Sequence, residues 1–417
     1  MNDSLSDFVG LDAESSGTLS DDLRRLLRAI RDHLEMDVAF VSEFTGGQRV
    51  FRSIDSSNDT PPIRVGMGHP LNESYCLSVV NGRLPELIPD TADVPETLKF
   101  PATLALPVGA HMSVPIRLKD GRVYGTFCCF SFAPNHSLND RDIKLMRVLS
   151  DTVAHRIDQD AIANKLSQDM QQRIRVALAT DSLSIAYQPI FDLNRGAVAG
   201  FESLARFNIA PLRTPDVWFA EAAVVGSRIE LEMKAIGKAL EGLQSLPSEV
   251  YVSLNVSPES VIRGDVERSL QGMPLNRVVI ELTEHTVIAE YLKLAEALAP
   301  LREQGVRIAV DDAGAGYASF RHILNLKPNL IKLDIDLTRD IDKDPARQAL
   351  AAALASFGRD TGSDIVAEGV ETASQLRVLR ALGVNKAQGY YLGRPVPLAV
   401  AMESCPPDRT SRDGSTT

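Results

Sequence analysis

Glu202, Asn255, Glu281, Asp311, Asp312 and Glu368 each lie in or just after a short apolar run that reads as a β-strand, and Lys332 lies within another. A parallel strand covered on both faces should be almost wholly apolar. Six oxygen-donor side chains and one lysine on successive strands therefore do not fit core filling. Unshielded carboxylates about 4 Å apart repel by roughly 4 kcal/mol per pair at an effective dielectric near 20. Positive charge must sit among them, and the economical form is one or two hard divalent cations, which prefer oxygen ligands. Two such ions bridged by a carboxylate and a water would generate hydroxide near neutral pH and clamp a phosphoryl group. Lys332 would hydrogen-bond that water. Glycosidases also use paired carboxylates on barrels, but they need two, and five acids with an amide exceed that need. The residues read as a site for metal-assisted phosphoester hydrolysis.

The surrounding pattern supplies the elements to position them. From about residue 183, strand and helix signals alternate, with strands expected at 184–192, 198–207, 250–257, 278–283, 306–312, 330–335, 364–369 and 387–392. Gly305, Gly362 and Gly383 fall where helices should stop. About 30 residues per unit over this length matches a (β/α)₈ barrel. The first two strands are joined by a turn around Asn194-Arg195-Gly196 rather than a helix, so one strand should run antiparallel. In 250–256, the aliphatic residues at even positions would face the helices. Tyr251, Ser253 and Asn255 would face the interior, with Asn255 at the C-terminal mouth, where barrel enzymes carry their chemistry. Adjacent Asp311 and Asp312 would point apart on a strand, so a turn eased by Gly314 and Gly316 should let both reach one cluster.

Upstream, helix, sheet and helix signals describe an α+β domain. Leu23, Leu26, Leu27, Ile30 and Leu34 recur at helical spacing, and Asp120-Gly121 between two apolar runs marks a hairpin. A loop is expected around Pro85, Pro89 and Pro95. A connecting helix over 139–178 bears a stripe including Leu149, Val153, Ile157, Leu166 and Ile174, which would pack on its own domain or pair with its twin in a homodimer.

The 417 residues suit two domains, and 44% hydrophobic with 24% charged residues is a globular composition. A net charge of −11 gives no global field to attract polymeric nucleic acid. Four cysteines without CxxC pairing suit a reducing compartment. The first residues have neither a basic nor an apolar leader-like run, and no run reaches transmembrane length. The expected location is cytoplasmic, with no membrane partner.

Eight ordered segments resemble the EAL family of cyclic di-GMP phosphodiesterases. They are Tyr187-Gln-Pro-Ile, Phe201-Glu-Ser-Leu-Ala-Arg206, Ser253-Leu-Asn-Val-Ser257, Ile280-Glu-Leu-Thr-Glu284, Ala309-Val-Asp-Asp-Ala-Gly-Ala-Gly-Tyr317, Ile331-Lys-Leu-Asp334, Val366-Ala-Glu-Gly-Val-Glu-Thr372 and Gln388-Gly-Tyr-Tyr-Leu-Gly-Arg-Pro395. The resemblance covers 180–403 and implies a modified TIM barrel that hydrolyses cyclic di-GMP to linear pGpG with two divalent cations, Mg²⁺ or Mn²⁺. It implies metal ligands at Glu202, Asn255, Glu281, Asp311, Asp312 and Glu368, with Lys332, Glu368 and Glu202 catalytic. It leaves open whether Glu368 is a ligand or a general base. Gln188, Leu204, Arg206, Gln388 and Pro395 match substrate-lining positions, and Glu284 matches the anchor of the loop after Asp312. Departures from the family are Ser203 for alanine, and Ala313 and Ala315 in that loop. An alternative is a catalytically silent cyclic di-GMP receptor acting through a partner, but silent members usually lack a ligand or the lysine, and here the set is complete.

Residues 18–160 resemble the GAF family of small-molecule sensors through Glu73-Ser-Tyr-Cys-Leu-Ser78, Asn81-Gly-Arg-Leu-Pro-Glu-Leu-Ile-Pro-Asp90 and the run from Ser113 to Cys129. This implies an antiparallel sheet with flanking helices and a small-molecule ligand of unknown identity. Cys76 with His69 could hold a ligand, metal or haem or sense redox state, although a packed thiol and a loop histidine are the plainer reading. Cys128 and Cys129 alternate along a strand and cannot bridge each other. His285 and His322 match no ligand position. Residues 406–417 read as a disordered tail.

Overall fold

The computed structural model describes residues 19–58, 61–282, 291–313 and 317–405. Glu284, His285, Gly314, Ala315, Gly316 and the tail 406–417 lie outside the described residues, as does the side chain of Asp312. The chain divides into two compact units between Leu166 and Ser167.

The first unit is built on β1 (Val38–Thr45), β2 (Gln48–Ser56), β3 (Gly68–Pro70), β4 (Leu87–Ile88), β5 (Ala110–Arg117) and β6 (Val123–Ser131). They form one antiparallel sheet in the order β3-β2-β1-β6-β5-β4. Side chains alternate across it. Val41, Val114, Phe127 and Cys129 pack with Leu27 and Ile30 of helix Leu19–His33 and with Met146 and Val153 of helix Asp140–Ala179. Phe40, Phe51, Cys128 and Phe130 fill the opposite face. Cys128 and Cys129 therefore do point apart, although Cys76 Sγ lies 3.7 Å from Cys128 Sγ. The segment expected as a proline-rich loop carries the edge strand β4 and short helical turns at Thr91–Asp93 and Pro95–Lys99. Two residues of strand have too little length to show a period in the sequence.

The second unit is a closed barrel of β7 (Leu183–Asp192), β8 (Ala197–Phe207), β9 (Tyr251–Val256), β10 (Val278–Leu282), β11 (Arg307–Ala313), β12 (Leu330–Leu333), β13 (Asp364–Ala367) and β14 (Lys386–Ala387), closing from β9 to β10. Strand β7 is antiparallel to both neighbours, and the other neighbouring strands pair in parallel. The short turn at Asn194-Arg195-Gly196 imposes this reversal, because a parallel neighbour needs a long crossover. Strand β14 is shorter than the expected 387–392, since the chain leaves the sheet after Ala387.

Two apolar layers hold the barrel. Val250, Val252, Leu254 and Val256 face the helices, packing in one cluster with Ile236 and Leu240. Inside, Ile190, Tyr251, Val279, Ala309, Leu330 and Val366 form a separate layer. Four of these stand two residues before Glu281, Asp311, Lys332 and Glu368, so strand alternation sets the functional side chains one layer above an apolar floor. Gly200 makes space for the Tyr251 ring, whose nearest carbons lie 2.6 Å from where a Cβ would stand. Gly200→Ala should destabilise the protein by about 1–3 kcal/mol through this overpacking. Urea unfolding is the measurement, and Gly200→Ala combined with Tyr251→Leu should recover part of the loss. An unchanged midpoint in the single variant would contradict this account of the floor.

Candidate active site

Each barrel strand delivers a polar side chain to the mouth. In spatial order these are Gln188 from β7, Glu202 from β8, Asn255 from β9, Glu281 from β10, Asp311 from β11, Lys332 from β12, Glu368 directly after β13 and Gln388 directly after β14. Register fixes their levels: Gln188 pairs opposite Glu202, and Asn255 stands beside Glu281. Gly369 completes the placement of Glu368, because its φ of +63° gives the chain a left-handed turn where the strand ends.

Lys332 is the centre of the cluster. Its Nζ lies 2.6 Å from Glu368 Oε1, 3.2 Å from Asp311 Oδ1 and 3.7 Å from Glu202 Oε2, and it contacts Glu281 Oε1. Lys332 is 3% exposed and Glu281 0%. Neutral partners also donate to oxygens of the ring. Ser253 Oγ donates to Glu281 Oε2 at 2.7 Å, Asn255 Nδ2 to Glu202 Oε1 at 3.3 Å, and Gln388 Nε2 to Glu202 Oε2 at 2.6 Å. Gln388 Nε2 also reaches Gln188 Oε1 at 3.0 Å, and Gln188 Nε2 donates to the Gly393 carbonyl at 3.3 Å. Ser203 has a definite role for its extra hydroxyl, which donates to the Ser253 carbonyl at 2.7 Å.

Burial pushes the Glu281 carboxyl up to about 8 and raises Glu368 well above the ordinary carboxylate range. Burial also acts to lower the Lys332 ammonium, but Asp311, Glu202, Glu281 and Glu368 together hold it well above its usual value. Lys332 is thus a fixed cation and hydrogen-bond donor. Were all four carboxyls ionised, one ammonium would leave a deficit of positive charge, which joins burial in pushing Glu281 and Glu368 toward their protonated forms. Single oxygens of Glu202, Glu281 and Glu368 lie within 4.8 Å of one another. Clustered hard oxygen donors with excess negative charge fit a divalent cation.

Two cavities open here. One of about 330 Å³ is lined by Gln188, Glu202, Asp311, Lys332, Glu368 and Gln388, together with Glu371 and Tyr390. The other, about 630 Å³ and mostly apolar, is lined by residues including Arg206, Asp216, Phe219, Arg228 and Glu232. Leu204 lines both, so the cavities adjoin. Arg206 therefore belongs to the second cavity and not to the carboxylate ring; its Nη1 donates to the Ala205 carbonyl at 2.8 Å. Pro395 is among the lining of neither, but its neighbour Val396 is tied to Tyr187 by paired backbone hydrogen bonds of 2.7 and 3.0 Å. Strand β11 continues through Ala313 with a register shift between Val310 and Ala313, so the irregularity expected after Asp312 begins within the strand. His322 Nδ1 lies 2.6 Å from the Tyr291 hydroxyl, and His322 is among the lining of neither cavity. Glu371 and Tyr390 are contributions that sequence reasoning passed over, although both stand inside the quoted segments.

Residues 171–395 match the EAL domain, more than half of the chain. The chain belongs to the EAL domain family. Residues 17–158 match the GAF domain, so an N-terminal GAF domain precedes the EAL barrel. The EAL region is 30% identical over 246 residues to "Cyclic di-GMP phosphodiesterase NbdA" of Pseudomonas aeruginosa, covering 56% of this chain and 31% of that protein. The chain spans between 29% and 42% of the length of the curated relatives it matches. Among solved structures, the PaMucR phosphodiesterase in complex with c-di-GMP aligns with a TM-score of 0.51 and 27% identity, over 56% of this chain and 99% of that one. The EAL enzyme Bd1971 aligns over 88% of this chain and 93% of its own, with a TM-score of 0.55, and at 16% identity it shares the fold. No helix among the described residues is long and apolar enough to cross a membrane.

Replacing the central cation tests the electrostatics directly. In chelator, Lys332→Met should lose about 3–5 kcal/mol of stability by urea unfolding, because it leaves buried carboxylates unpaired. A loss below about 1 kcal/mol, the level of an exposed pair, would show that the ring is solvated.

Proposed function

We propose that the EAL domain hydrolyses one phosphodiester bond of cyclic di-GMP to give linear pGpG, using two divalent cations, Mg²⁺ or Mn²⁺. The observation carrying this reading is Lys332 within four carboxylates, completed by Asn255, at the C-terminal mouth of the barrel. Glu202, Asn255, Glu281, Asp311, Asp312 and Glu368 are the proposed metal ligands, and Glu284 the anchor of the loop after Asp312. When bound, the cations supply a water of lowered pKa and a counter-charge for the phosphoryl oxygens.

The protein's own side chains supply orientation. Lys332, held protonated, donates to the attacking water and stays positive as charge develops on the phosphate. Glu202 and Glu368 complete the catalytic set by fixing that ammonium from two sides. Gln388 spans Glu202 and Gln188, which holds the rim on the substrate side. Leu204 stands at the seam of the two cavities, so a phosphate seated at the ring leaves a guanine for the larger, mostly apolar cleft. There the donor fork of Arg206 suits a guanine edge or a phosphate. Pro395 borders the same rim through the segment tied to Tyr187.

The reading extends to the whole chain. The GAF domain acts as a small-molecule sensor that regulates the barrel. Helix Asp140–Ala179 exposes Val148, Ile162 and Leu166, an apolar series suited to a twin helix in a homodimer.

Turnover of cyclic di-GMP with Mn²⁺ or Mg²⁺, followed as release of pGpG, tests the activity. Glu202→Ala should abolish it. Lys332→Ala should lower kcat by about 10²–10⁴ if it assists proton transfer, with KM nearly unchanged. Binding of cyclic di-GMP without any linear product would replace the enzyme with a silent receptor. Residues 167–417 alone should turn over at a rate different from the full chain, and equal rates would remove regulation by the GAF domain under those conditions.

A further inference from the structure

The GAF domain encloses a cavity of about 310 Å³ whose walls are largely apolar, with Phe40, Phe51, Ile63, Leu106 and Phe130 among them. Two buried basic side chains, Arg49 and His111, interrupt this lining, with the half-buried His69 beside them. Arg49 comes from β2 and His111 from β5, with 9% and 4% of their surface exposed. The Arg49 guanidinium carbon lies 4.5 Å from the Phe51 ring centroid and 5.9 Å from that of Phe40, so the two rings fix its plane. Its Nη1 donates to Cys76 Sγ at 3.6 Å, but its Nε meets no acceptor, and neither does His111 Nδ1. Among the described residues no carboxylate forms an ion pair with Arg49, and Glu73, the one acid of the lining, is exposed.

A buried guanidinium without a counter-ion is strongly unfavourable, and a buried ring nitrogen without a partner adds to the cost. The internal candidate for that negative charge is Cys76, whose thiol is pulled down to about 5, first by its hydrogen bond with Cys128. A thiolate there occupies one of the five guanidinium donors and still leaves Nε and His111 Nδ1 unanswered. Burial and the nearby Arg49 push the His111 imidazole down to about 3, so it is neutral and adds a hydrogen-bonding group without a second charge. One fixed positive charge, one neutral polar partner and an aromatic wall describe a ligand with one acid group and a flat or compact apolar body.

We propose that this cavity binds a small organic anion, its acid group against Arg49 and His111 and its apolar body against Phe40, Phe51 and Phe130. Carboxylates and phosphate monoesters share this chemistry. The inference stands apart from the activity of the barrel.

Calorimetric and thermal-shift titrations of the full chain with benzoate, phenyl phosphate and the neutral benzyl alcohol test it. At least one anion should bind saturably and raise the unfolding midpoint, and benzyl alcohol should not. Whichever anion binds tells carboxylate from phosphate monoester. Arg49→Met should weaken that binding by about ten- to a hundredfold, the worth of a hydrogen bond to a charged group, with an unchanged far-ultraviolet spectrum. If Arg49→Met fails to fold, the comparison of benzoate with benzyl alcohol on the wild type decides. Absence of binding by both anions, equal binding of the alcohol, or undiminished binding in a folded Arg49→Met would overturn the proposal; the first of these outcomes leaves Cys76 as the counter-ion of Arg49.

Discussion

A lysine ammonium buried among four carboxylates is the constraint on which the barrel's architecture turns. Taking charges of either sign out of water is costly, and mutual attraction repays the cost only where geometry is close and remaining lone pairs find donors. Lys332 meets the first condition by contacting Glu202, Glu281, Asp311 and Glu368 from the centre of the mouth. Ser253, Asn255 and Gln388 meet the second by donating to carboxylate oxygens on the ring. The floor of Tyr251, Val279, Ala309, Leu330 and Val366 fills the space below, so these groups cannot swing down into the barrel. Preorganisation of this kind has its cost met during folding and not at the moment of reaction.

The reversed strand has a bearing on the same site. Strand β7 runs against β8 and β14, so its inward positions meet the mouth in the opposite chain direction. Gln188 then faces Glu202 across a register pair and lies within reach of Gln388, the side chain that follows β14. The amide pair links the ring where the last barrel strand, β14, meets the first, β7. The segment after β14 is tied down independently through Tyr187 and Val396, and the Gln388 backbone bonds Ala367 and Val370.

Much of this was legible in the residues because strand alternation is a strict period. Acids at the ends of apolar runs could not be core, and the interior placement of Tyr251, Ser253 and Asn255 followed from the even-numbered aliphatic face. The antiparallel strand followed from the missing crossover between two apolar runs. Arg206 was legible only as a binding group; that it lines a separate cleft depends on helices Pro215–Val224 and Arg228–Ser245, whose packing leaves no periodic mark. Glu371 was hidden for a different reason, since it stands beyond the strand in a loop where no period constrains direction. In the GAF domain, the proximity of Cys76 to Cys128 joins a short helix to a strand 52 residues away, a contact that spacing alone does not encode.

Charge arithmetic at the mouth restricts what can bind there. Four acidic side chains face one formal positive charge, and the upward push that burial gives Glu281 and Glu368 marks the cost of ionising all four together; the surrounding amides and hydroxyl are neutral. A phosphodiester carries a further negative charge, so its approach to this ring unaided would meet repulsion strengthened by the low local dielectric. On the proposed reading, the phosphate and the cations would enter as a coupled set, each lowering the cost of the other. Lys332 cannot substitute for those cations, because its single charge is already shared among four partners. On that reading the lysine would fill the gap between the carboxylates and an incoming water, where a donor that stays charged is required.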